Sequence, residues 1–139
     1  MLIFAGSMWW LSQHYPIYSW HFNTQIFGII IIIIGGLIDL SSLVLFLFSK
    51  TTVNPIKPEK AAVFVNKGMY QFSRNPMYLG LLLLLTGWAF YLAALSSLFL
   101  IPLFVVVINV MQIHHEEEVL EQKFGQPYIE YKNSVRRWL

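Results

Sequence analysis

Pro76–Ile113 reads PMYLGLLLLLTGWAFYLAALSSLFLIPLFVVVINVMQI, 38 residues without one charged side chain. A helix needs about 20 apolar residues to cross a hydrocarbon core of about 30 Å, so this run predicts a hairpin of two helices. Its turn is expected near Ala94–Ser97. Pro102 then falls in the first turns of the returning helix, where a missing N–H does least harm. Upstream, Thr24–Phe48 is a second long apolar run of 25 residues, and Asp39 is its one charged side chain. Its isoleucines are β-branched and would suit a buried strand, but the length of the run decides for a helix. Met1–Leu11 is apolar and short, and Tyr15, Pro16 and Trp20 mark an interfacial end. We read a first helix reaching Tyr15. No basic segment precedes that run, as a signal peptide would require.

The composition of the whole chain agrees. Of 139 residues, 57% are hydrophobic and 12% charged, about half the share of a soluble protein. Mean hydropathy is +0.60. There is no cysteine, which removes disulfides, thiolate metal sites and a cysteine nucleophile. A formal charge of +2 is too small to argue for nucleic acid. The expected fold is therefore all-α: an integral membrane bundle of about four transmembrane helices (2–15, 24–48, 76–94 and 97–113) within a single domain, residues 1–139.

Basic residues set the orientation. Lys50, Lys57, Lys60, Lys67 and Arg74 lie between Ser49 and Asn75, and Lys123, Lys132, Arg136 and Arg137 lie in the tail 114–139; these are all nine in the chain. A two-span hairpin puts both segments on one side, and the positive-inside rule makes that side cytoplasmic. Ser12–Asn23 carries no Lys or Arg and faces out. In the tail, Gly125 and Pro127 end a first helix. Tyr128, Tyr131, Val135 and Trp138 then recur at helical spacing, which predicts an amphipathic interfacial helix.

Polar groups within apolar helices carry the most information. An Asp at a helix centre costs about 2.5–3.5 kcal/mol on insertion scales, so Asp39 is either a site or a partner of Ser41 or Ser42. Asn109, Gln112 and Glu116 are spaced by three and four and share a helical face, with Glu117 and Glu118 following. Such a stripe resembles one wall of a pocket opening to the cytosol. Arg74-Asn75-Pro76 predicts a helix start, with Asn as cap and Pro in the first position. The free N–H groups and Arg74 would form an anion-binding corner, or else cap the helix and meet lipid phosphates. His114 and Glu118 are four apart, but no zinc-ligand pattern follows, and no metal is expected.

Taken together, Arg74-Asn75-Pro76-Met77-Tyr78-Leu79-Gly80, the apolar hairpin and Glu116-Glu117 resemble the isoprenylcysteine carboxyl methyltransferase and phospholipid methyltransferase superfamily. Its pattern is Arg-His-Pro-x-Tyr-x-Gly followed about forty residues later by Glu-Glu. Thr51–Pro55 and Gly68-Met69-Tyr70 resemble the run into that motif; Phe124-Gly125, Tyr128, Tyr131 and Arg137-Trp138-Leu139 resemble its C-terminal pattern. Asn75 stands in place of the family histidine, and Glu118 in place of a basic residue.

The resemblance implies methyl transfer from S-adenosyl-L-methionine at the cytoplasmic membrane face to a lipophilic or amphipathic acceptor (a prenyl-cysteine carboxylate, a lipid headgroup amine, or a small amphipathic thiol or acid), with membrane lipids as partners. It implies a cofactor site of Gly68, Tyr70, Arg74, Asn75, Pro76, Tyr78, Gly80, Gln112, Glu116 and Glu117. Arg137 or Arg136 would orient a carboxylate acceptor, and Glu117 or Asp39 would serve as base for an amine or thiol. The alternative is a non-catalytic membrane protein, a lipid-binding adaptor or transporter subunit, using the same helices and basic segments for lipid contact.

Overall fold

The computed structural model describes residues 1–17, 23–48 and 65–139. Lys50, Lys57, Lys60 and the Thr51–Pro55 run lie outside the described residues. Every helix or strand assigned among the described residues is helical. They are α1 (Leu2–His14), α2 (Thr24–Phe48), a 3-10 turn (Gly68–Gln71), α3 (Pro76–Leu92), α4 (Leu95–Leu98), α5 (Leu100–Ile108), a π-helical turn (Asn109–Ile113), α6 (His114–Phe124) and α7 (Gln126–Ser134).

Two of these stretches are long and apolar enough to cross a membrane, Thr24–Leu45 and Leu95–Phe124, the second running through α4, α5, the π turn and α6. Pro76–Leu92 is a shorter apolar helix. At 13 residues, α1 covers about 20 Å, less than a hydrocarbon core.

The chain divides into two compact units, Met1–Leu37 with Gly80–Val107, and Ile38–Leu79 with Ile108–Leu139. In the first, glycines let backbones touch. A Cβ on Gly28 would lie 2.5 Å from the Gly87 carbonyl oxygen, one on Gly87 would lie 2.6 Å from the Gly28 oxygen, and one on Gly35 would lie 2.8 Å from the Gly80 oxygen. Small residues at a crossing are how apolar helices gain close packing where water supplies no drive. Onto this pair α1 is tied by Trp88 Nε1 donating to the Ala5 carbonyl (3.2 Å) and Ser97 Oγ donating to the Met8 carbonyl (3.0 Å). Phe4 meets Phe104 edge-on, and Met8, Leu85 and Phe104 are sealed inside.

Those bonds move the predicted hairpin turn. The reversal falls at Ala93, whose φ is +53°, and Ala94, which is extended; α4 begins at Leu95. Ser96 and Ser97 are buried within α4 rather than placed in the turn. The serine hydroxyl at 97 is consumed by α1, so a residue type that usually marks a loop here marks an interior contact.

The second unit gathers the C-terminal end of α2, residues 65–79, the π turn and the tail. Gly125, at φ +60°, ends α6 as expected. Helix α7 departs from expectation, because it stops at Ser134 and Val135 is extended. Beyond it, the backbone carbonyls of Arg136 and Arg137 accept hydrogen bonds from residues 73–75, which competes with helical pairing. The aromatic face of α7 also turns inward. Tyr128 is buried, and the Tyr131 hydroxyl donates to the Tyr70 carbonyl at 2.7 Å.

Candidate functional site

The polar residues singled out by sequence converge within the second unit. Three elements bring them together: the segment entering α3, the junction of the π turn with α6, and the extended C-terminal residues. A π turn inserts an extra residue into the helical ladder and often accompanies functional sites. Here two residues separate it from the paired glutamates.

Glu117 is the centre. It is 4% exposed, and both of its oxygens are taken by guanidiniums. Arg137 binds it as a fork, with Nε to Oε1 at 3.0 Å and Nη2 to Oε2 at 2.7 Å. Arg74 Nη2 approaches Oε1 at 3.2 Å. Parallel N–H···O bonds to a carboxylate are among the strongest available to side chains. The Glu117 hydrogen bond also raises the Arg137 pKa, against the opposing pull of partial desolvation. Two cations on one carboxylate leave one positive charge uncompensated within the triad.

Arg74 shows where that charge is open. Its side chain is 9% exposed, Nη1 donates to the Lys132 carbonyl at 3.3 Å, and Nε is buried without an acceptor. A buried N–H without a partner is uncommon and asks for an anionic or carbonyl ligand.

The neighbouring residues tie the tail rather than cap the helix. Asn75 starts α3 through its carbonyl, which accepts from the Leu79 N–H at 3.0 Å. Its side-chain Nδ2 donates instead to the Arg137 carbonyl at 3.1 Å. Fully buried Ser73 donates to the same carbonyl at 3.3 Å and accepts from the Asn75 N–H at 3.2 Å. The Arg74 N–H donates to the Arg136 carbonyl at 2.9 Å. Pro76 is sealed.

The predicted polar stripe is present and internally bonded. Tyr78 donates its hydroxyl to Glu116 Oε1 at 2.6 Å, and Gln112 Nε2 donates to the same oxygen at 3.0 Å. Asn109 Oδ1 accepts from Trp138 Nε1 at 3.3 Å, so the last turn of the chain is pinned to the π turn. Burial, then the charges of neighbouring groups, pushes the Tyr70 phenol far above its ordinary range; burial does the same to Tyr128 and Tyr131. The shifts favour the neutral phenol in all three, and Tyr131 is seen donating, to the Tyr70 carbonyl.

A bond to a charged group contributes about 1.5–3 kcal/mol. Tyr78→Phe is therefore expected to lower the unfolding midpoint in detergent and to loosen Glu116. Calorimetric melting checks this, and a midpoint equal to the parent's would mean the bond contributes nothing.

Three predicted site residues sit differently. Gly80 belongs to the first unit, where its carbonyl is the point of closest approach for Gly35. The Arg136 side chain is exposed, and the residue contributes its carbonyl. Gly68, at φ +58°, opens the 3-10 turn against the Leu45 side chain. Residues that sequence reasoning did not place in the site are Ser73, Tyr131 and Trp138. Asn109 was legible as part of the stripe and Tyr131 as part of the C-terminal pattern; Ser73 carries no local signal. His114 Nε2 and Glu118 Oε1 form an exposed pair at 3.3 Å, and among the described residues no group of three potential metal ligands assembles.

Described residues that are helical throughout their regular elements, apolar helices of membrane length and an Arg–Glu–Arg cluster about a buried glutamate define a class of helical membrane protein. Comparison with known proteins makes it specific. The phospholipid methyltransferase family pattern matches residues 23–127, and the chain belongs to that family. It is 31% identical to protein-S-isoprenylcysteine O-methyltransferase A of Arabidopsis thaliana over 97% of this chain and 63% of that protein. It is 28% identical to the B form from the same plant over 91% of this chain and 58% of that protein. The chain thus spans about three fifths of the length of these two relatives. An uncharacterized protein of Haemophilus influenzae is 48% identical over 45% of this chain and its own full length. No solved structure matches the chain.

Proposed function

We propose that this chain is a membrane methyltransferase that uses S-adenosyl-L-methionine and modifies a lipophilic or amphipathic acceptor at the cytoplasmic face. The observation that carries the reading is the Arg74–Glu117–Arg137 cluster, with one excess positive charge and the Arg74 Nε without an acceptor. An amino-acid carboxylate fits both features. The names of the relatives, isoprenylcysteine O-methyltransferases, support methyl transfer to lipid-like acceptors.

In this reading residues 1–139 form one multi-pass membrane domain with a cytoplasmic tail, oriented by the basic residues of 49–75 and 114–139, and α1 is too short to be one of the full crossings. S-adenosyl-L-methionine supplies the activated methyl group and its own leaving group. The protein's work is to bind, orient and exclude water. Arg74 would hold the carboxylate end, with Asn75 and Pro76 fixing the helix start behind it. Glu116, already accepting from Tyr78 and Gln112, would accept from the ribose hydroxyls. Gly68, Tyr70 and Tyr78 would border the nucleoside. Glu117 is committed to two guanidiniums, so we assign it a positioning role, holding Arg74 and Arg137 in place. Arg137, more exposed than Arg74, remains able to orient an acidic acceptor from its open side.

The test is incubation of the purified full-length chain with methyl-labelled S-adenosyl-L-methionine and a total membrane extract. Label is expected in an organic-soluble product. Absence of label from every fraction, with the protein folded, would favour the adaptor reading.

A further inference from the structure

We propose that residues 65–75 and 135–139 together form a docking surface for anionic phospholipid headgroups, with Lys67 and Arg136 as its charges and Phe72 as its apolar wedge. The surface does not rest on the methyltransferase reading, and a chain that bound no methyl donor would still carry it.

The two stretches are joined into one platform. The Arg74 N–H donates to the Arg136 carbonyl at 2.9 Å, and Asn75 Nδ2 and Ser73 Oγ donate to the Arg137 carbonyl at 3.1 and 3.3 Å. The N–H groups of Phe72 and Ser73 both donate to the Met69 carbonyl at 3.1 Å, which fixes the first stretch onto its 3-10 turn. Neighbouring side chains then part ways. Ser73 is fully buried, and Phe72 before it is 66% exposed. Arg137 is drawn in to Glu117, and Arg136 before it is exposed.

The platform carries charge of one sign. Its two stretches contain Lys67, Arg74, Arg136 and Arg137 and no acidic residue. Glu117 engages Arg74 and Arg137. Lys67 and Arg136 are both exposed, and among the described residues neither makes an ion pair. Of the acids in the tail, Glu118 pairs with His114 and Glu121 with Lys132, while Glu130 is exposed on α7, outside both stretches.

The platform also lies at the edge of the apolar helices. A Cβ on Gly68 would lie 3.3 Å from Leu45 Cδ2, and Leu45 is the last residue of the membrane-length stretch of α2. Pro76, directly after the first stretch, begins the apolar α3. That is headgroup depth, where phosphates meet cations and the acyl boundary takes a phenyl ring. A zwitterionic headgroup sets an ammonium beside its phosphate, which two cations repel; an anionic headgroup does not. Bound there, it steadies the extended tail from outside through Arg136, as Glu117 steadies it from inside through Arg137.

The experiment places the full chain in nanodiscs of phosphatidylcholine, alone or with an equal part of phosphatidylglycerol, and follows amide hydrogen exchange. Residues 65–75 and 135–139 are expected to exchange about fivefold more slowly in the anionic discs, the effect of one basic residue at such a surface. Exchange in α1 is expected to be alike in both. High salt should remove the protection, because it screens the surface charge. Arg136→Gln keeps the carbonyl that the Arg74 N–H uses, and it and Lys67→Gln change exposed side chains, so both are expected to fold. Each should lose much of the protection and the double variant all of it, whereas Arg136→Lys keeps most. Phe72→Ser is expected to quicken exchange of 65–75 in both kinds of disc, and parent-like exchange there would overturn the wedge. Equal exchange of the parent in the two discs, or anionic protection that persists in the double variant, overturns the docking surface. So does protection produced in phosphatidylcholine discs by free glycerol phosphate, which would make the site one for a soluble anion.

Discussion

Glu117→Ala is expected to free the last five residues of the chain and to cost about 3–5 kcal/mol, the usual penalty for removing one partner of a buried ion pair. The reasoning begins with the count of charges. Among the described residues Glu117 is the one carboxylate bonded to Arg74 and Arg137, and it is 4% exposed. Its loss leaves Arg74 buried with no counter-ion and Arg137 with no anchor. Ser73, the Arg74 N–H and Asn75 would still hold the carbonyls at 136 and 137, but these neutral bonds contribute about 1 kcal/mol each. Hydrogen exchange should therefore quicken across residues 135–139 while α1 and the first half of α2 keep their protection. Glu117→Gln separates charge from shape: it keeps the volume but removes the negative charge, and it should fall between the parent and the alanine variant. Exchange at 135–139 that matches the parent's in Glu117→Ala would show that the carboxylate does not hold the tail.

Much of this arrangement was legible in the amino-acid order, and the rest was hidden for identifiable reasons. The bounds of α2, the start of α3 at Pro76 and the break at Gly125 are local decisions, set by apolar run length, proline and glycine, and the structure places them as expected. The convergence of Arg74, Tyr78, Gln112, Glu116 and Glu117 followed from helical spacing and from the family resemblance. The π turn did not, because an added residue in a helical ladder leaves no mark in the order of side chains, and Asn109 and Gln112 fit an unbroken helical face equally well. Nor did the end of α7. Val135 and Trp138 keep the helical period, and only long-range bonds to residues 73–75 and 109 pull them into an extended course. Gly80 teaches the same lesson in reverse. It is part of the quoted motif, yet what the structure shows at it is a backbone carbonyl that Gly35, lacking a Cβ, can approach. A motif names positions together; it does not say which of them meet a ligand and which let helices touch.

Arg74→Ala separates structure from binding more cleanly than any change at Glu117. Its effect on donor affinity is expected to be a loss of about 100-fold, or roughly 2.7 kcal/mol. The Arg74 contact that holds the tail is a backbone N–H to the Arg136 carbonyl, which alanine retains. Glu117 keeps its fork to Arg137, so no buried carboxylate is stranded. What disappears is the Nη1 bond to the Lys132 carbonyl, the Nη2 bond to Glu117 and the open Nε, and with them the excess positive charge of the cluster. An anionic ligand end then faces a neutral pair. Arg74→Lys restores the charge but not the fork, because an ammonium is a point donor that cannot serve Glu117, a backbone carbonyl and a ligand in fixed directions. It should recover part of the affinity, about tenfold. Calorimetry with S-adenosyl-L-methionine in detergent reads all three proteins, with thermal melting as the control for folding. Parent-like affinity in Arg74→Ala, with the fold intact, would remove the anion corner from the site and with it the argument from charge on which the cofactor assignment stands.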